Sequence, residues 1–315
     1  MPLMDLFQVT FQSVAVLLGV GLIGFWIIRR HLIPDYALGL LSPLALEIAL
    51  PCLIFVNILT TFNPERHPDW WIYPIWWGVF TIFAAGLTFL CMFASQKKSR
   101  REFAISLFFQ NGLFFPLAIL PGMFPDEPVY LVYLFLFMLF FPTLLFNTYA
   151  LFFKNQKQEL NYKKIFHPVF VVTLFALAVR ILAVHTYIPD LIYSVAALVG
   201  AMSLPLIMII LGGNIYLDFR KKEKFHTREI VKFVLIKNIF FPLVFIGFLL
   251  VVRPAYPIAL IILLQSAVPP VTAVPILVGR AGGDQTITNQ FIFASFLASL
   301  FSIPLMISIF GQVYS

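Results

Sequence analysis

Apolar stretches long enough to cross a bilayer recur along almost the whole chain, at about 6–28, 36–61, 70–96, 102–122, 128–153, 168–187, 190–217, 229–252, 257–279 and 287–312. A hydrocarbon core ~30 Å thick takes about 20 helical residues. With no water inside a bilayer to satisfy backbone polar groups, each stretch has to be a helix. Composition agrees: 61% of residues are hydrophobic, only 11% are charged, and the mean hydropathy is +0.96. A soluble domain keeps roughly a quarter of its residues charged. The expected fold class is therefore an all-α integral membrane protein of ten transmembrane helices. The connections are too short to hold a soluble catalytic domain.

The basic residues set the orientation. Arg29 and Arg30, Lys97 to Arg101, Lys154 to Lys164, Arg220 to Lys232 and Arg280 all fall after odd-numbered stretches and hold 17 of the 21 Lys and Arg. Only Arg66 and Arg253 lie on the other side, where turns such as Asn63-Pro64-Glu65 and Pro189-Asp190 are acidic and Pro-containing. The positive-inside rule then puts both termini outside the cytoplasm. The net charge of +7 reads as topological anchoring, with no nucleic-acid partner expected. Cys52 and Cys91 sit in apolar stretches as buried thiols, and the five histidines show no metal spacing. Asp5 and the absence of basic residues before a long first stretch argue against a cleavable signal peptide.

Prolines mark an internal repeat. Ala49-Leu50-Pro51 resembles Ser203-Leu204-Pro205, Pro116 resembles Pro275, and Pro142 resembles Pro304. The pairs come in order, each separated by about half the chain. Five helices per half is an odd number, so halves 1–157 and 158–315 enter the membrane from opposite sides, the inverted repeat of secondary transporters. The fourth and ninth stretches are the most interrupted. The fourth reads Phe109-Gln110-Asn111-Gly112-Leu113-Phe114-Phe115-Pro116, and the ninth carries Gln265 to Pro275 with Pro269, Pro270 and Thr272. Proline lacks an N–H and clashes with the preceding turn, so both helices break near mid-membrane. Half-helix N-termini exposed by such breaks favour anions. Candidate substrate-binding residues are Gln110, Asn111, Gly112 and Pro116 from one break, and Gln265, Pro269, Pro270 and Thr272 from the other.

Several of these motifs resemble the auxin efflux carriers and their bacterial relatives. They are Val268-Pro269-Pro270, Gly282-Gly283-Asp284, Ser295-x-x-x-Ser299 with Pro304, Leu50-Pro51-Cys52-Leu53-Ile54-Phe55, and Leu204-Pro205 followed by Leu211-Gly212-Gly213. In the fourth helix Asn111, Gly112 and Pro116 match that family's pattern, but its second glycine is absent and the spacing is shorter. The resemblance implies ten helices as two inverted five-helix repeats. It also implies that broken helices 4 and 9 cross at mid-membrane, where an organic anion binds beside Asn111 and the Pro269–Pro270 break. Bacterial members are linked to carboxylates such as malate or malonate, and plant members to auxin.

Ionisable residues within the stretches are Glu47, Arg180 and Lys237. Glu47, near mid-membrane, is expected to face the protein interior or water, and either couples transport to protons or makes a structural hydrogen bond. Arg180 and Lys237 either snorkel to the interface or act as charge partners of the anion or of Glu47. Asn57, Asn214, Asn238 and Gln265 are candidates for hydrogen bonds between helices.

No cofactor is expected; the coupling ion, H+ or Na+, is left open. Gly282-Gly283-Asp284 has no second mid-membrane aspartate, and the chain carries neither a His-Glu-x-x-His nor a Gly-x-Ser-x-Gly motif, which argues against an enzyme. The expected function is secondary transport of a small organic anion across a bacterial inner membrane. The expected partners are that anion and membrane lipid, with a homodimer among the open arrangements. A sodium-coupled symporter of the bile-acid type, a channel and a non-transporting sensor are the alternatives.

Overall fold

The computed structural model describes residues 3–153, 167–220 and 225–314; all named elements among them are helical. The first apolar stretch is a single helix, α1 (Leu3–Arg29). The second joins α2 (Ala37–Pro43), a π turn over Leu44–Ala49 and α3 (Leu50–Thr61). The third is α4 (Ile72–Cys91). The fourth is divided into α5 (Arg100–Phe108) and α6 (Phe114–Met123), the fifth into α7 (Val129–Phe137) and α8 (Phe141–Thr148). The sixth is α9 (Pro168–Ile181).

The seventh stretch joins α10 (Asp190–Ala201) to α11 (Ser203–Arg220). The eighth runs as α12 (Thr227–Leu235), a π turn over Ile236–Phe240 and α13 (Phe241–Val252). The ninth is divided into α14 (Tyr256–Ala267) and α15 (Val274–Arg280). The tenth is α16 (Gln285–Val313), with Pro304 accommodated inside it.

Among the described residues, seven of the stretches are helices long and apolar enough to cross a membrane; α6, α9 and α14 are shorter apolar helices. The reason differs between them. The fourth and ninth stretches are split by their prolines. The sixth ends before its expected limit at 187 because Ala183 takes a left-handed conformation (φ +57°) that stops α9. Lys154, Lys157, Lys163, Lys164, Lys221, Lys222 and Lys224, like the halfway boundary at 157, lie outside the described residues. Cys91 is buried and Cys52 only half-buried; both are free thiols.

Burial sorts the helices into an outer ring and a centre. Leu22, Trp26, Ile82, Leu90, Leu198 and Val251 stand exposed on the long helices, as lipid-facing side chains do. Every residue of α14 from Ile258 to Ala267 is buried, and so is α5 from Glu102 to Leu107. The broken segments therefore form the centre. Glycines bring α1 and α11 into backbone contact: a Cβ added at Gly212 would lie 1.7 Å from the Gly21 carbonyl oxygen, and one at Gly24 2.2 Å from that of Ile209. Small residues allow such close approach between apolar helices, where packing rather than water expulsion drives association.

Candidate functional site

The two breaks meet. Pro269 and Pro270 have no N–H, so the carbonyls of Gln265 and Ser266 lose the donors that a continuing helix would offer. The chain instead becomes extended at Val268 (φ −75°, ψ 151°), as it does at Phe109 (φ −94°, ψ 96°). These two extended pieces pair antiparallel. The Asn111 N–H donates to the Pro269 carbonyl at 2.8 Å, and the Val271 N–H donates to the Phe109 carbonyl at 2.9 Å, forming a single bridge between Gln110 and Pro270. Each break thus supplies one donor and one acceptor to the backbone of the other, which helps irregular backbone persist in a membrane interior.

Polar side chains cluster on this bridge. The Gln265 amide Nε2 donates to the Gly112 carbonyl at 2.6 Å. Gly112 is required there, because a Cβ would lie 1.6 Å from Gln265 Oε1. Asn111 is 2% exposed and Gln265 0%. Yet Asn111 Nδ2 and Gln265 Oε1 find no hydrogen-bond partner among the described residues. Unpaired buried polar atoms cost about 1–3 kcal/mol each, so a donor and an acceptor left open at one crossing suit a ligand. Beside them α6 begins without a side-chain cap, and its first turn presents unsatisfied N–H groups and the positive end of the helix dipole. Pro116 lies in that turn, buried.

A cavity of about 430 Å³ extends from the second break. It is lined by Thr272 and Pro275, by Asn214 of α11, and by Gln285 and Asn289 of α16. The charged side chains on its wall, Asp35 and Arg220, pair with each other at 2.7 Å. Thr272, half-buried, links the crossing to this space. Asn214, expected between helices, faces the cavity. The sequence marks Arg220 only as a topological anchor and does not mark Asp35, Gln285 or Asn289; the available signal is a polar run at the start of the tenth stretch.

The crossing brings together Gln110, Asn111, Gly112, Gln265, Pro269 and Pro270, and it does not include Glu47 or Arg180. Of the two surroundings expected for Glu47, protein interior or water, the interior is not the one it has: the residue is exposed. It sits in the π turn Leu44–Ala49, where the Leu50 N–H reaches back five residues to the Ala45 carbonyl; the extra residue per turn changes which side chains face the core. Glu47 pairs with neither Arg180 nor Lys237. Arg180 donates through Nε to the Phe62 carbonyl, the free end of α3. Lys237 does not snorkel: it is 0% exposed, and its ammonium donates to the Ser266 carbonyl at 3.2 Å.

Asn238 does bond between helices, donating through Nδ2 to the Ser295 carbonyl at 3.0 Å and accepting from Ser295 Oγ at 2.7 Å. Asn57 bonds only within its own helix, to the Leu53 carbonyl. Two buried carboxylates also went unread. Glu229 accepts from Ser95 Oγ at 2.7 Å and from Lys232 at 3.0 Å. Glu102 accepts the Asp284 N–H at 3.1 Å, which holds the Gly282-Gly283-Asp284 turn at the start of α16. Both lie at helix starts inside basic runs, where an acid among bases reads as a solvated pair. Among the described residues no cluster of three His, Cys, Asp or Glu is placed to hold a metal ion.

A family model described as membrane transport protein matches the chain twice, over residues 9–164 and 152–307. No curated protein matches it. With apolar helices long enough to cross a bilayer and a repeated transport domain, the chain is a membrane transport protein. It belongs to the auxin efflux carrier family.

Proposed function

We propose that this protein is a secondary transporter that moves a small organic anion of the carboxylate class across the cytoplasmic membrane by alternating access at the crossing. The observation that carries this reading is the open pair Asn111 Nδ2 and Gln265 Oε1, held on a bridge between two broken helices. An amide donor beside an uncapped helix start suits a carboxylate oxygen. The polar cavity at Thr272 serves as its approach, and the Asp35–Arg220 pair stands on the wall of that approach. The halves 1–157 and 158–315 act as inverted repeats that rock about the crossing; the overlap of the two family matches at 152–164 supports a boundary there.

Thermal unfolding of the purified protein with a panel of mono- and dicarboxylates tests the reading, since a ligand held by the folded state alone raises the midpoint. At least one carboxylate is expected to stabilise the wild type, and Asn111→Ala to weaken that effect about tenfold while inserting normally. Saturable counterflow of the same compound in proteoliposomes is the expected transport result; single-channel conductance would replace the carrier with a pore. Orientation has its own test. Tags at residues 1 and 315 are expected to be reachable from outside intact cells, and a tag at Lys222 only after permeabilisation. A cytoplasmic terminus would overturn the arrangement of the halves.

A further inference from the structure

The ninth stretch ends its first half-helix with an unusual set of open acceptors. In a continuing helix the Gln265 and Ser266 carbonyls would accept from residues 269 and 270, both prolines without an N–H. The Ala267 carbonyl would accept from Val271, whose N–H is committed to Phe109. Three consecutive carbonyls thus point off the negative end of α14, whose residues from Ile258 to Ala267 are all buried. Half-helix ends of this kind coordinate cations in membrane transporters.

The group that occupies this end is Lys237. Its Nζ lies 3.2 Å from the Ser266 carbonyl and 4.9 Å from the centre of the Phe241 ring, whose π face attracts a cation. No carboxylate pairs with it among the described residues. A buried ammonium facing one carbonyl and a ring is expensive if it only fills space, since an apolar side chain would do that at no desolvation cost. The backbone is also adapted around it. Residues 236–240 form a π turn, in which the Phe241 N–H reaches back five residues to Ile236, and such turns concentrate at functional sites.

We infer that Lys237 is a resident cation of the transport site. Its ammonium takes the seat at the carbonyl end of α14 that a coupling metal cation would otherwise hold, so that carboxylate transport by this protein requires no sodium. This inference rests on the carrier function proposed above and deepens it. The side chain is a positioning group: it fixes the end of α14, and through it Gln265, without touching substrate.

The experiment compares wild type, Lys237→Met and Lys237→Ala in sodium, choline and ethylammonium chloride. Wild-type counterflow is expected to be equal in sodium and choline. Lys237→Met, which keeps the volume and removes the charge, is expected to lose about tenfold or more. Lys237→Ala opens space at the seat, and its counterflow and unfolding midpoint are expected to rise with sodium or ethylammonium but not with choline. A merely structural lysine would give no such cation-selective rescue.

Three results would each overturn the inference: sodium-dependent wild-type transport, full activity in Lys237→Met, or a Lys237→Ala protein indifferent to the cation. If Lys237→Met does not fold, the midpoint of Lys237→Ala decides alone. Failure of every carboxylate to stabilise the wild type would instead sink the carrier reading, and the cation effect on the Lys237→Ala midpoint would still report on the seat.

Discussion

Gly212→Ala is expected to abolish stable accumulation of this protein, because the added methyl has no room and its obstacle is backbone. The new Cβ would sit 1.7 Å from the Gly21 carbonyl oxygen and 2.6 Å from its carbonyl carbon, far inside any van der Waals contact. No rotamer change relieves that clash; α1 and α11 must move apart along the contact that Gly24 also makes with Ile209. Overpacking of tight sites costs about 1–3 kcal/mol, and an obstacle of fixed backbone places this one at the upper end or beyond. Gly19, on the same helix α1, has nothing within 4 Å of an added Cβ, so Gly19→Ala is the control. Size-exclusion profiles and unfolding midpoints of the two variants check the expectation: Gly19→Ala near wild type, Gly212→Ala aggregated or strongly lowered. A Gly212→Ala protein as stable as Gly19→Ala would mean that the two helices are not in backbone contact.

Gly112→Ala should behave in the opposite way, retaining the fold and losing transport. Here the atom in the way is a side-chain one, Gln265 Oε1 at 1.6 Å, and a glutamine can turn aside. In doing so it breaks the 2.6 Å bond from Gln265 Nε2 to the Gly112 carbonyl and carries the open acceptor away from Asn111. Loss of one such buried contact, with its partner left unsatisfied, corresponds to about 1–3 kcal/mol, or roughly tenfold or more in apparent carboxylate affinity. Gln265→Ala removes the obstacle but not the need for the amide. The double variant should therefore be no worse than Gln265→Ala alone, a non-additivity expected of residues that share one contact. Additive losses in the two single variants would place Gly112 and Gln265 in separate tasks.

How much of this was legible in the sequence depends on what each feature requires. Hydropathy marks every helix because the bilayer imposes a length and an apolar composition on each. Proline marks the two breaks because it cannot donate, so Pro269 and Pro270 announce an interruption before any neighbour is known. Pairing of the breaks followed from the repeat and from family likeness. Features that depend on a partner distant in sequence left no mark. A glycine in an apolar helix does not say which backbone comes close, so Gly24 carries no sequence signal and Gly212 reads only as part of a family motif. Lys237 reads as an interfacial anchor or a charge partner until its bond to the Ser266 carbonyl is seen. The cost of a mid-membrane carboxylate places Glu47 against the protein interior or water without choosing between them, and no sequence signal marks the π turn at Leu44–Ala49 that carries it. The divided fifth stretch, with its interruption between Phe137 and Phe141, carries only Pro142 as a sign.

The bridge at Gln110 and Pro270 has a consequence for modularity. Asn111 and Phe109 belong to one half of the chain, Pro269 and Val271 to the other, and each half brings one donor and one acceptor to the pair. Separated, either half would carry both into the bilayer interior unanswered, at several kcal/mol for each group left alone. Neither half is therefore a part that could be lifted out, swapped into another protein or shortened on its own, although each matches the same family model. Resemblance between the halves is thus a record of common descent rather than of independence. Their interdependence is written in two backbone hydrogen bonds whose donors only a proline at Asn111 or Val271 would remove, which leaves the side chains around them free to diverge.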